Sequence, residues 1–162
     1  MILILPGFSI KNKEEAEAIA SALLAKGQKV YVHNWRHWIE DIEWNPQEEL
    51  RLIKLNVKEP FSVVAKSIGT YIASGMLLHN VPDKLILMGI PVNDLTEEEL
   101  DVYFNLGKIQ NFSVIQNSKD PHGNAEQVRE LLVGLNFKLI TKEASDHSYK
   151  YIPDILSELG IE

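Results

Sequence analysis

Cysteine is absent from the 162-residue chain. Its absence excludes disulfides, thiolate-ligated zinc, iron–sulfur clusters and a thiol nucleophile. It also suits a reducing compartment, so a cytoplasmic location is expected. Long apolar runs are missing too. The opening run Met1-Ile2-Leu3-Ile4-Leu5 stops at Pro6-Gly7, too short for a signal-peptide core and with no basic residues before it. Nothing approaches the ~20 apolar residues of a membrane span. Positive charge is in deficit, with 16 Lys and Arg against 23 Asp and Glu, a net charge of -7. Such a surface repels phosphate backbones and anionic lipid, so neither nucleic acid nor a membrane is an expected partner. No G-x-G-x-x-G and no G-x-x-x-x-G-K-[ST] occurs, so dinucleotide and P-loop nucleotide cofactors lack their usual signals and no cofactor is expected.

What remains is a globular composition, 45% apolar and 24% charged, long enough for one domain over residues 1–162 with its own core. Short apolar runs alternate with amphipathic segments. Strands are expected at 2–5, 29–33, 61–66, 84–88, 113–117 and 138–141, several of them wholly apolar, as strands covered on both faces must be. Helix signals lie between them. Asn12 with Glu15, Thr96 with Glu99 and Asn124 with Gln127 have capping-box spacing, and Asn45-Pro46 opens another helix. Gly27 and Gly160 mark helix ends. Strict alternation predicts a three-layer α/β/α sandwich around a six-stranded, mostly parallel sheet.

Ligands of such sheets bind beyond the carboxyl ends of the strands. The third strand runs Val63-Val64-Ala65-Lys66 into Ser67-Ile68-Gly69-Thr70, followed by the small residues Ala73, Ser74 and Gly75. This resembles a nucleophile elbow, G-x-S-x-G, with Ala65 in place of the first glycine. A sharp strand-to-helix turn lifts the serine hydroxyl clear of the backbone and needs small flanking residues. A neutral serine needs a base, and the base needs an orienting carboxylate. Asp120, in Asn117-Ser118-Lys119-Asp120-Pro121-His122, follows the fifth strand, and His147, in Ala144-Ser145-Asp146-His147-Ser148, follows the sixth. The order Ser, Asp, His is the one this kind of sheet uses. Backbone N–H groups of Ile68 and Phe8 are the candidate oxyanion donors.

Taken together, Leu5-Pro6-Gly7-Phe8, Ala65-Lys66-Ser67-Ile68-Gly69, Lys119-Asp120-Pro121 and Asp146-His147-Ser148 resemble the α/β-hydrolase superfamily. The chain is similar to small lidless serine hydrolases of the retinoblastoma-binding-protein-9-like group. The resemblance covers nearly the whole chain. It implies strand order 2-1-3-4-5-6, a Ser67-Asp120-His147 triad and hydrolysis of a small ester, thioester or amide. Lys66 stands where many members have histidine.

Each candidate has a plainer alternative. Ser67 is equally a residue type that caps helices. Asp94, after the fourth strand, competes with Asp120 as the acid, and His122 competes with His147 as the base, although it shares the acid's loop and is expected to be a bystander. Gly7, Ser9, Trp35 and Trp38 are candidate pocket residues; the tryptophans of Asn34-Trp35-Arg36-His37-Trp38 could instead cover the sheet edge. His33 and His37 are four apart but have no third ligand in view, so no metal site is expected. The leading expectation is a cofactor-free serine hydrolase acting on a small acyl compound. The alternatives are a binding module that keeps the same fold and, more remotely, a flavodoxin-like nucleotide binder. The sequence does not specify an oligomeric state.

Overall fold

The computed structural model describes residues 1–58 and 60–162. Six strands, β1 (Ile2–Leu5), β2 (Val30–Val32), β3 (Ser62–Lys66), β4 (Leu85–Met88), β5 (Phe112–Asn117) and β6 (Lys138–Lys142), form one sheet in the order β2-β1-β3-β4-β5-β6. Every pairing is parallel. Six α-helices connect or follow them: α1 (Asn12–Ala25), α2 (Pro46–Asn56), α3 (Ile68–Met76), α4 (Glu97–Leu100), α5 (Ala125–Leu131) and α6 (Ile152–Leu159). Each expected strand is present, its ends within a residue of the expected bounds.

Strand side chains alternate between the two faces, and the alternation divides the core. Leu3, Leu5, Val63, Ala65, Leu85, Leu87 and Val114 pack with Ile53 of α2, Ile72 of α3 and Val128 of α5. Ile2, Ile4, Val64, Ile86, Met88 and Ile115 pack with Ala16, Ile19 and Leu23 of α1 and Ile155 of α6. Both faces are therefore covered, which is why the strands are apolar on both sides. By the same parity Lys66 follows Val64 onto the α1 face.

The capping boxes at Thr96/Glu99 and Asn124/Gln127 form as their spacing suggests, and Asn45 caps α2 through the N–H groups of Gln47 and Glu48. Each such cap stabilises its helix by about 1 kcal/mol. The box expected at Asn12/Glu15 does not form. The cap position of α1 is Lys11, without a side-chain bond. Asn12 and Glu15 instead turn toward buried Lys66, whose Nζ bonds Asn12 Oδ1 and lies 3.7 Å from Glu15 Oε1. A buried ammonium outcompetes a helix terminus for these acceptors, because leaving it unpaired is the costlier choice. The β4–β5 crossover is also shorter in α-helix than its sequence suggests: α4 is one turn and continues as a 3-10 helix over Asp101–Lys108. No helix among the described residues is long and apolar enough to cross a membrane.

A buried His33–Glu49 pair fixes the end of β2. Nε2 of His33 lies 2.6 Å from Glu49 Oε2, both side chains being 3% exposed, and Glu49 Oε1 accepts the Arg36 N–H at 3.0 Å. His33 Nδ1 has no partner among the described residues. Burial lowers the His33 pKa despite the opposing pull of Glu49, and the orphaned Nδ1 explains why: a second proton there would be a buried donor with nothing to receive it. The folded chain thus holds fewer protons at His33 than the unfolded chain. Stability contributed by the neutral ring is present above the unfolded value, about 6.5, and is lost as pH falls below it. Denaturant melts between pH 8 and pH 5 should show stability declining on acidification, and His33→Gln should flatten part of that decline.

Candidate active site

The register levels the carboxyl ends of the central strands. Lys66 pairs with Met88, Ser67 N–H donates to Met88 O, and Gly89 N–H donates to Ile115 O. Ser67 thus sits one residue beyond β3 with the β4 and β5 loops beside it. Its backbone has φ 53° and ψ -121°, and among the described residues it is the one non-glycine with positive φ. Such a conformation costs about 1–3 kcal/mol. It is held by Thr70, whose N–H and hydroxyl both donate to Ser67 O, at 2.8 and 2.6 Å. Ser67 makes no side-chain capping bond to α3, so the helix-cap alternative does not describe it.

The elbow tolerates Ala65 but requires Gly69. Ala65 is an ordinary strand residue in register with Leu5. A Cβ on Gly69 would strike the Leu5 carbonyl oxygen and stand 2.9 Å from Pro6 O. The start of α3 is therefore in backbone contact with the loop after β1, and this contact brings the Gly7–Phe8 segment to the elbow. Ile68 N–H opens α3 and, like the first N–H groups of any helix, has no acceptor within it. Among the described residues Phe8 N–H has no hydrogen-bond acceptor.

Asp120 and His147 meet beyond β5 and β6. Nδ1 of His147 is 2.6 Å from Asp120 Oδ2. The carboxylate is buried, and its other contacts are the Tyr149 hydroxyl donating to Oδ2 at 2.6 Å and the His122 N–H donating to Oδ1 at 2.8 Å. Burial pushes the Asp120 pKa up, but these donors together outweigh it and hold the carboxyl below its ordinary value. Tyr149 is pushed the opposite way, by burial first and by the neighbouring carboxylate second, so it stays a donor. With Nδ1 engaged by a carboxylate, the neutral imidazole carries its proton on Nδ1 and presents a lone pair at Nε2. That Nε2 is buried and has no hydrogen-bond partner among the described residues, Ser67 included. Bonds between nucleophile and base are commonly long before substrate binds and shorten in the reacting complex.

The His147 loop is tied down from three sides. Asn117 Nδ2 donates to the carbonyls of Asp146 and Ser148 at 3.0 and 3.1 Å. Glu15 of α1 accepts the Tyr149 N–H at 3.1 Å while facing Lys66. Gly89, at φ +60°, leaves the space the rings occupy, since a Cβ there would lie 2.5 Å from the Tyr149 ring and 3.1 Å from His147 Cε1.

The rivals are placed as well. Asp94 does not reach His147; its carboxylate takes His122 Nδ1 at 2.6 Å. His122 lies beside the other candidate base, its ring 4.3 Å, centroid to centroid, from that of His147. Lys66 points under α1, toward Asn12 and Glu15. Trp35 is not a pocket wall: it is fully buried, and its Nε1 donates to Gly7 O at 3.0 Å. Trp38 Nε1 and His37 Nε2 both lie 2.8 Å from Phe8 O. Ser9 Oγ accepts the Lys11 N–H in the turn into α1. His79 belongs to a separate cavity of about 350 Å³ between α2 and α3, lined by none of the three triad candidates. No cluster suited to a metal ion occurs among the described residues. Tyr149, Asn117 and Glu15 escaped sequence reasoning, although Tyr149 lies only two residues beyond His147.

No protein-family model matches the chain, and no curated protein matches it. Solved structures do. An α/β serine hydrolase homologue from Coxiella burnetii shares 17% identity with a TM-score of 0.72, covering 98% of this chain and 81% of the other. A lidless α/β serine hydrolase from Xanthomonas campestris shares 15%, with a TM-score of 0.70 and coverage of 98% and 78%. An esterase from Pyrococcus furiosus shares 15%, with a TM-score of 0.73 and coverage of 98% and 81%. At such identities the likeness speaks for the fold: a six-stranded parallel sheet in the order 2-1-3-4-5-6, flanked by helices, as in α/β hydrolases.

Two outcomes follow from this geometry. Tyr149→Phe removes a donor from Asp120, so the carboxyl should titrate at higher pH than in the parent, as read by carboxyl-carbon NMR. Glu15→Ala leaves Lys66 buried without its carboxylate and frees the Tyr149 N–H; it should cost about 3–5 kcal/mol in urea denaturation.

Proposed function

We propose that the chain is a serine hydrolase that cleaves a small ester, thioester or amide through an acyl-enzyme. The observation that carries this reading is the pairing of a strained, uncapped serine with an Asp120–His147 dyad whose free nitrogen is buried and unengaged. A fold that holds Ser67 at positive φ while leaving its hydroxyl out of the helix cap gives up stability for no structural return, and strain of this kind gathers at reactive sites.

Ser67 Oγ attacks the substrate carbonyl carbon as His147 Nε2 takes its proton. The imidazolium that forms is stabilised by Asp120, which is already ionised and keeps the ring in the correct tautomer. Negative charge moves to the carbonyl oxygen, where the N–H groups of Ile68 and Phe8 receive it, aided by the positive end of α3. The tetrahedral intermediate collapses, His147 returns the proton to the leaving group, and Ser67 is left acylated. Water, deprotonated by His147, then attacks the acyl carbon and releases the acid. No metal or redox group is needed for any of these steps. The β4–β5 connection holds a one-turn α-helix and 3-10 segments, so an open site and a compact acyl substrate suit this chain. Membership of the retinoblastoma-binding-protein-9-like group and a cytoplasmic location belong to the same proposal.

A fluorophosphonate probe should label one residue, Ser67, and p-nitrophenyl acetate should be hydrolysed. Ser67→Ala should abolish both, with a loss of at least about 10³-fold in kcat. Asp120→Asn should cost about 10²–10⁴-fold, whereas Asp94→Asn should stay within about threefold, the difference assigning the acid. Full activity in Ser67→Ala overturns the mechanism, and silence of the folded parent toward both reagents leaves a non-catalytic binding module of the same fold.

A further inference from the structure

We infer that Trp35 is a positioning residue that aims the Phe8 N–H at the oxyanion; this rests on the serine-hydrolase reading above. The peptide unit between Gly7 and Phe8 sets the geometry. Gly7 C=O and Phe8 N–H belong to one planar trans peptide, so the two groups point in opposite directions. Whatever holds the carbonyl also sets the donor. Trp35 Nε1 holds that carbonyl at 3.0 Å, and the indole is fully buried in the core.

The strand order supplies the direction. β1 lies between β2 and β3. The loop after β1 therefore has the β2 loop, which carries Trp35, on one side and the Ser67 elbow on the other. A carbonyl drawn toward Trp35 turns its N–H toward the elbow. The contact of Gly69 with Leu5 and Pro6 keeps the loop and the elbow together.

The indole is itself fixed by a chain of contacts reaching back to α2. Glu49 of α2 receives both His33 Nε2 and the Arg36 N–H, the residues on either side of Asn34-Trp35. His33 and Trp44 meet the Trp35 ring edge-on, at 4.7 and 5.1 Å between centroids. Such locking is what preorganised donors require, since a dipole that must reorient during reaction loses most of its advantage. The following peptide is held separately: Trp38 and His37 take Phe8 O, which orients the Ser9 N–H rather than that of Phe8. The Trp35 and Trp38 contacts thus make different predictions.

The test compares Trp35→Phe and Trp38→Phe with the parent, using p-nitrophenyl acetate turnover, KM, and inhibition by a trifluoromethyl ketone that mimics the tetrahedral adduct. A whole oxyanion donor is worth about 10²–10³-fold in kcat. Trp35→Phe should lower kcat by about 10- to 100-fold, leave KM within about twofold, and weaken the ketone in proportion to the loss in kcat. A defect of packing alone would not tie the ketone to kcat in this way. Trp38→Phe should have the smaller effect on kcat. If Trp35→Phe does not fold, replacing Trp35 with 3-benzothienylalanine keeps the bicyclic shape, removes the N–H and should give the same pattern. Unchanged kcat in a folded Trp35 variant, or a larger loss in Trp38→Phe, overturns the assignment while leaving the serine-hydrolase reading intact. A parent that neither turns over the ester nor takes up a fluorophosphonate overturns that reading first, and this inference with it.

Discussion

The Asp120 carboxylate is the interaction on which the rest of the site depends. It is a buried charge at the mouth of the sheet, and a buried charge persists only if surrounding donors replace the water it has lost. The His147 ring, the Tyr149 hydroxyl and the His122 backbone do so. The donors come from two different loops: His147 and Tyr149 from the loop after β6, and His122 from the loop after β5. Satisfying one carboxylate therefore arranges two loops and sets the tautomer of the candidate base. Charge-assisted bonds of this kind are stronger than neutral ones and tolerate little displacement.

The sheet makes the arrangement possible by dividing its labour between faces. Lys66 and Ser67 are neighbours in sequence, yet one goes beneath α1 and the other to the strand ends. Lys66 draws in Glu15, and Glu15 in turn holds the backbone of Tyr149. A charge pair on the α1 face thus supports the loop bearing His147. On the opposite face, Glu49 and the aromatic cluster of His33, Trp35 and Trp44 support the loop bearing Phe8. Rigid side chains and charged acceptors of limited freedom recur at both supports, as placing a group to within a fraction of an ångström requires.

Much of this is legible in the sequence. Strand positions were readable because fully covered parallel strands must be apolar on both faces, and the Thr96 and Asn124 capping boxes because a cap is a local event within four residues. Chain order and the rule that ligands bind beyond strand ends single out Ser67, Asp120 and His147 as candidates. The Asn12 capping box misled because a distant partner, Lys66, competed for the same acceptors. For the tryptophans of the β2 loop the sequence offers lining or cover, since composition tells that an indole is amphipathic but not which carbonyl its N–H will meet. Tyr149 carries no signal in the sequence, because a tyrosine after a strand is ordinary until its hydroxyl meets a carboxylate.

The sequence by itself determined which segments are strands and helices, that the sheet is mostly parallel and covered on both sides, and which residue types stand at its carboxyl end. These follow from periodicity and local hydrogen bonding, which involve residues close along the chain. Only the tertiary structure decided that Asp120 rather than Asp94 faces His147, that Ser67 adopts a strained backbone instead of capping a helix, and that Trp35 meets the Gly7 carbonyl. Each of those is a contest between partners 27 or more residues apart, or between strain and distant packing. Its outcome depends on which donor arrives within about 3 Å, a distance that strand register and sheet order set and that no local pattern records.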